Sequence, residues 1–227
     1  MSLLTIVSDA MTQCGLTAPT LVYASTDATV KLFMNLAQVE GDALSRATAW
    51  RGLKTSGTIT GDGTTTQFAL PAAFHRFMTP YPFWLDNHPS SPLFKVGDAE
   101  LLSFQVAETQ PTRPVWRMKG EFIEFYPAPD SGEIIKYEYL SQYWISGRAR
   151  WSADDNTCVI PERLISLGLV WRFKQAKGFD YAEDFRSYQI ERNKEMMVEG
   201  GVQTIRARSH FLGDYGNTVL VDPRVNP

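Results

Sequence analysis

The three histidines, His75, His88 and His210, are the side chains best suited to metal binding or proton transfer near neutral pH. They lie far apart, none has a second ligand one helical turn away, and no cluster of cysteines or carboxylates joins them. They read as solvated or partner-facing imidazoles. Gly61-Asp62-Gly63 has the glycines of a phosphate cradle, but no Gly-Lys-Ser/Thr follows, which leaves a chain reversal. Asp154-Asp155-Asn156 opens like a calcium loop yet lacks the alternating ligands and the distal glutamate; its expected task is to end a sheet and lead into a helix. Glu121 and Glu124 are expected on opposite faces of a strand, turned to solvent rather than to a substrate. No Gly-x-Ser-x-Gly elbow is present. These readings predict no catalytic residue, no metal and no cofactor.

Tyr137-Glu-Tyr-Leu-Ser-Gln-Tyr-Trp144 has the ring density of a carbohydrate platform. Aromatics are ordinary strand residues, so the favoured reading is that half of the rings fill a β core and some meet a neighbour. Cys14 and Cys158 are remote in sequence and read as small apolar residues of a reducing compartment.

The 227 residues are 44% hydrophobic, 21% charged and 12% aromatic, the balance of a folded globular chain with a sizeable core. A formal net charge of −3 argues against tight neutralisation of nucleic-acid phosphates, although DNA could still slide past without sticking. No basic segment precedes a long apolar run at the start, and no stretch reaches the roughly 18 apolar residues that span a bilayer. The expectation is synthesis in the cytoplasm, with no membrane partner.

The elements that must position these residues follow from periodicity. Leu3, Val7, Ala10, Met11 and Cys14 make one helix face, stopped by Gly15. Ser25-Thr26-Asp27 offers caps for a second helix to about Trp50, with Val30, Phe33, Met34, Ala37 and Leu44 as its stripe. Thr58-Ile-Thr60 and Gln67-Phe-Ala-Leu70 flank Asp62-Gly63 and predict a β-hairpin. The proline-rich stretch from Pro71 to Pro92 predicts an irregular or edge region. A short helix capped by Asp98 is expected over 97–106. Strands at 116–118, 122–126 and 133–145 predict an antiparallel meander, with Ile135, Tyr137 and Tyr139 sharing a face. Pro161 opens a helix that is apolar nearly all round and closes at Gly178, and Asp180 caps another to about Glu199. From Val202 onward no periodicity remains.

The fold class is therefore α+β: an antiparallel helical bundle built from 1–53 and 155–200, an inserted antiparallel β module over 54–154, and an extended C-terminal arm over 201–227.

Ile160-Pro-Glu-Arg-Leu-Ile-Ser-Leu-Gly-Leu-Val-Trp-Arg-Phe-Lys-Gln-Ala-Lys-Gly-Phe-Asp-Tyr-Ala-Glu-Asp-Phe185 resembles the C-terminal helical hairpin of tailed-phage head-to-tail adaptors akin to tail tubular protein A. Leu3 to Gly15, Ala43 to Trp50, Phe68-Ala-Leu-Pro71 and Phe122-Ile-Glu-Phe-Tyr-Pro-Ala-Pro129 resemble other parts of that family in the same order, over residues 1 to 200.

The resemblance implies a structural protein of the virion neck: a homo-oligomeric ring of twelve copies beneath the portal protein, extending the DNA channel and carrying the tail or a tail-completion protein. It implies that the arm meets the portal through Arg206, Arg208, Phe211 and Tyr215. A two-sided helix at 161–178 would then meet the next subunit, with Trp171, Phe173 and Tyr181 at that contact. The competing readings are a receptor- or carbohydrate-binding module of a tail or baseplate, and a hydrolase.

Overall fold

A computed structural model describes residues 2–88 and 90–200. The proposed arm, with Arg206, Arg208, Phe211, Tyr215 and also His210, lies outside the described residues. Along the chain come α1 (Leu3–Gln13), α2 (Ala28–Ala47), β1 (Lys54–Thr60), β2 (Gln67–Ala69), β3 (Phe74–Phe77), β4 (Phe83–Leu85), α3 (Asp98–Val106), β5 (Val115–Lys119), β6 (Phe122–Tyr126), β7 (Ile134–Ser141), α4 (Glu162–Lys177) and α5 (Ala182–Gly200). The architecture is mixed α+β with antiparallel sheets.

The helical periods hold because each stripe finds a partner. Val30, Phe33, Ala37 and Leu44 of α2 are buried with Leu3, Ile6, Val7 and Ala10 of α1 against Leu164, Ile165, Leu169 and Phe173 of α4. At ~1.5–3 kcal/mol for each large apolar side chain, this shared core outweighs any propensity term. α4 touches α1, α2 and α5, so its all-round hydrophobicity is covered by its own chain. The caps fall where the side-chain oxygens predict. Asp27 Oδ1 accepts from the Thr29 and Val30 N–H groups at 2.7 and 3.0 Å, and Gly178 ends α4 at φ 75°. Asp154 and Asn156 hold the start of α1, their carbonyls accepting from Leu4 N at 3.1 Å and Leu3 N at 3.0 Å.

The β region differs from the expected meander. It forms two sheets, in which β7 pairs with β1 on one edge and with β3 and β4 on the other, while β2, β6 and β5 make a second sheet. The hairpin expected around Asp62-Gly63 does not form, because β1 pairs with β7 and β2 with β6. The Asp62 carboxylate instead accepts from the Thr64 and Thr65 N–H groups, and Gly61 presses on the Asp130 carbonyl so closely that a Cβ would sit 2.3 Å from it. Residues 61–66 are therefore a crossing between sheets. The stretch read as an irregular or edge region supplies the edge strands β3 and β4, which gain order from β7 through Phe77↔Tyr139 and Phe83↔Tyr137. The two sheets enclose Phe83, Leu85, Ile135, Tyr137, Trp116, Ile123 and Phe125. Phe83 lies at the centre, 4.8 Å from the Trp116 ring and 5.4 Å from the Phe125 ring.

β7 ends at Ser141 rather than Ile145 because Trp144, Ile145 and Trp151 belong to the helical core. α3 begins one residue earlier than a cap at Asp98 requires: Gly97 is the N-cap, and Asp98 reaches Arg117 at 3.3 Å.

Candidate interaction surfaces

The residues suited to chemistry stay dispersed. His75 is exposed on β3 and His88 is exposed after β4. Partial burial, then the neighbouring Arg76 and Arg46 charges, hold the His75 imidazole below its ordinary value. Among the described residues, no group of three or more His, Cys, Asp or Glu could hold a metal ion. Cys14 and Cys158 are free thiols; burial pushes both up, Cys158 to about 12, so neither is a ready nucleophile. Asp154 is a fastener: its Oδ1 accepts from the Val22 and Tyr23 N–H groups at 3.1 and 2.7 Å.

Glu124 corrects the solvent-facing expectation. It is 5% exposed and bound to Arg117 at 2.6 Å, with Gln67 Nε2 donating at 3.1 Å. Burial raises its carboxyl, but the hydrogen bonds from Gln67 and Arg117 outweigh that and hold it below the usual range. Glu121 is exposed in the turn before β6, outside any strand.

Periodicity also overlooked Glu40, the most deeply buried charge among the described residues, at 0% exposure. It sits in the α2 stripe three residues after Ala37, and a charged residue inside an apolar stripe was the available signal. Its Oε2 accepts from Arg172 Nε of α4 at 2.5 Å, and its Oε1 accepts from the Tyr188 hydroxyl of α5. Gly168 makes room, since a Cβ there would lie 2.5 Å from Glu40 Cδ. One carboxylate thus ties three helices, and both of its oxygens are occupied by structural partners. Burial, then the Glu40 hydrogen bond, pushes the Tyr188 hydroxyl well above its ordinary value.

The three residues proposed for a subunit contact have partners in their own chain. Phe173 is 4% exposed and stacks on Phe33 with ring centroids 4.6 Å apart. Trp171 is 8% exposed; its ring meets Phe185 at 4.9 Å and Tyr181 at 6.3 Å, and the Arg172 guanidinium lies 4.6 Å from its centroid. Tyr181 is half-buried beside it.

The ring-rich strand is mostly interior. Tyr137 and Tyr139 lie in the β core and Trp144 in the helical core, which removes the carbohydrate platform as a surface. Exposed rings lie elsewhere, among them Tyr81, Trp84 and Phe94. Tyr81 and Phe94 meet edge-on at 6.0 Å. Trp84 pairs with Lys136 across the sheet, at the edge of a groove of about 640 Å³ that also takes in Ser56, Thr58 and Glu138. Among the described residues, no helix is long and apolar enough to cross a membrane.

The SU10 adaptor protein family model matches residues 1–213, almost the whole chain. No curated protein matches it.

Proposed function

The chain belongs to the SU10 adaptor protein family, whose members are phage adaptors, and from that premise we propose a structural, non-catalytic role at the junction of head and tail in the virion. The observation that carries the reading is the family match over residues 1–213. In this reading, copies of the chain form a ring of twelve beneath the portal protein. The ring continues the DNA channel without gripping DNA, consistent with a net charge of −3. Its distal face carries the tail or a tail-completion protein.

The fold supports a building block. The strongest polar constellation, Glu40 with Arg172 and Tyr188, is consumed in fastening helices. Exposed rings at Tyr81, Trp84 and Phe94 offer the kind of aromatic contact area that protein interfaces favour. Trp171, Phe173 and Tyr181 would act on a neighbouring subunit by shaping the α4–α5 face from within. Arg206, Arg208, Phe211 and Tyr215 are proposed to anchor the C-terminal segment on the portal.

The test is electron microscopy of the chain mixed with its portal, alongside native mass measurement. A closed ring of the chain on the portal is the expected result. Deleting 202–227 should leave a folded protein that no longer docks. Virions lacking the chain that still carry firmly attached tails would overturn the adaptor reading, and normal docking by the truncated chain would overturn the role given to its C-terminal segment.

A further inference from the structure

Where α2 meets the end of β7, a polar cavity of about 250 Å³ is lined by Asp42, Ser45, Arg46, His75, Ser141 and Arg150. Its charge is lopsided. Two guanidiniums and an imidazole face one acid, and a further cation, Arg76, acts on His75 from β3. The acid is already engaged, because Asp42 Oδ1 accepts from Trp144 Nε1 at 2.9 Å and from Gln38 Nε2 at 3.0 Å. Among the described residues, no ion pair or side-chain hydrogen bond engages Arg46 or Arg150. Arg117 and Arg172, by contrast, are each matched to a carboxylate.

The walls are fixed before anything binds. Gln38 Nε2 donates to the Ala149 carbonyl at 2.9 Å and Gln38 Oε1 accepts from Trp151 N at 3.3 Å, which clamps the 149–151 loop to α2. Gln142 N donates to the Ala73 carbonyl at 2.7 Å and Tyr143 N to Ser141 Oγ at 3.0 Å, which holds the far wall. A fixed backbone around uncompensated charge suits an anion, since the exposed Arg46 and Arg150 side chains are what is left to order on binding.

Size and charge select the anion. About 250 Å³ takes one side-chain head group, not a stretch of nucleic-acid backbone. A chain of net charge −3 also repels a polyphosphate at longer range. The planar fork of a guanidinium matches a carboxylate in two parallel hydrogen bonds. We propose that this cavity receives the carboxylate of an Asp or Glu side chain presented by a partner protein, held between Arg46 and Arg150 with Ser141 as a secondary donor. Only the partner's place in the particle rests on the adaptor reading. Because the site joins α2 to the β7–β3 edge, an inserted carboxylate would brace the helical and β parts against each other.

The test uses the full chain in isolation, so it fails or succeeds independently of ring formation. His75, assigned through a His75→Gln variant, is followed by NMR while glutarate is added at fixed ionic strength. Saturable binding should raise the His75 pKa by ~0.5–1 unit, because a bound anion favours the imidazolium. The Arg46→Gln/Arg150→Gln double variant should lose that response while its circular dichroism is unchanged. A short peptide bearing two glutamates should bind wild-type protein at least about tenfold more tightly than its glutamine analogue. That comparison decides the matter even if the double variant fails to fold. No saturable response, an equal response in a folded double variant, equal binding of the two peptides, or stronger competition by inorganic phosphate or a short DNA duplex would each overturn the proposal.

Discussion

The Trp144 indole stands where a side chain on Gly41 would have to go: a Cβ built there would lie 2.0 Å from the ring's Cη2. The indole is 1% exposed and its Nε1 donates to Asp42, so it has little freedom to move aside. In an unobstructed helix, Gly→Ala stabilises by about 1 kcal/mol. Here the sign should reverse. Gly41→Ala is expected to destabilise by roughly 1–3 kcal/mol through overpacking, read as a lower urea midpoint together with a changed tryptophan emission.

Glu40 should be the costliest single residue to remove. Glu40→Ala leaves Arg172 without its counter-charge and the Tyr188 hydroxyl without its acceptor, an expected loss of about 3–5 kcal/mol. Glu40→Leu combined with Arg172→Met should recover much of that, because a buried ion pair replaced by apolar groups leaves no charge stranded. Equilibrium denaturation of the single and double variants measures both. A double variant no more stable than Glu40→Ala would contradict the assignment.

Alkaline stability has a definite sign. Cys158 and Tyr188 both sit above their ordinary values of 9.0 and 10.0, chiefly through burial. Folded values above unfolded ones mean that the stability they contribute is intact below about pH 9 and is lost as pH rises through the folded values. Tyr188→Phe should cost roughly 1–3 kcal/mol at neutral pH, by leaving Glu40 Oε1 unsatisfied, and should flatten the decline above pH 10.0. Thermal unfolding between neutral pH and pH 11 tests the slope.

The acid limb is expected to run the other way. Glu124 is held below its ordinary 4.5, so its contribution is present above that pH and is lost as pH falls through the folded value. Glu124→Gln should destabilise at neutral pH by about 3 kcal/mol, because Arg117, whose side chain is 10% exposed, loses its buried partner and keeps only the exposed Asp98 carboxylate. The same variant should show a shallower pH dependence below 4.5, measured by acid titration of ellipticity.

Helices were legible because their evidence is local. Asp27, Pro161 and Gly178 mark ends, and the spacing of Val30, Phe33, Ala37 and Leu44 marks a face, whatever lies opposite. The sheets were not legible to the same degree. Asp62-Gly63 has the chemistry of a hairpin turn, yet the partners of the flanking strands are residues 122–124 and 134–140, and nothing within six residues of the turn reports that. β3 and β4 were hidden by Pro80 and Pro82 between them, and they exist because β7 offers an edge. The seam cavity was equally invisible: Arg46, His75 and Arg150 come from three separate segments and meet only once β7 has delivered Trp144 onto Gly41.

α1 and α2 are made first, but the surface that buries their stripes is α4, and the carbonyls that satisfy the first N–H groups of α1 belong to residues 154 and 156. During synthesis α1 and α2 must therefore leave the ribosome with much of their hydrophobic faces bare, and they can settle only after residues 162–177 have emerged. A long-range closure of this kind folds slowly and is vulnerable to aggregation in the interval. Chaperones that hold nascent apolar segments should accordingly have their greatest effect before residues 162–177 have emerged.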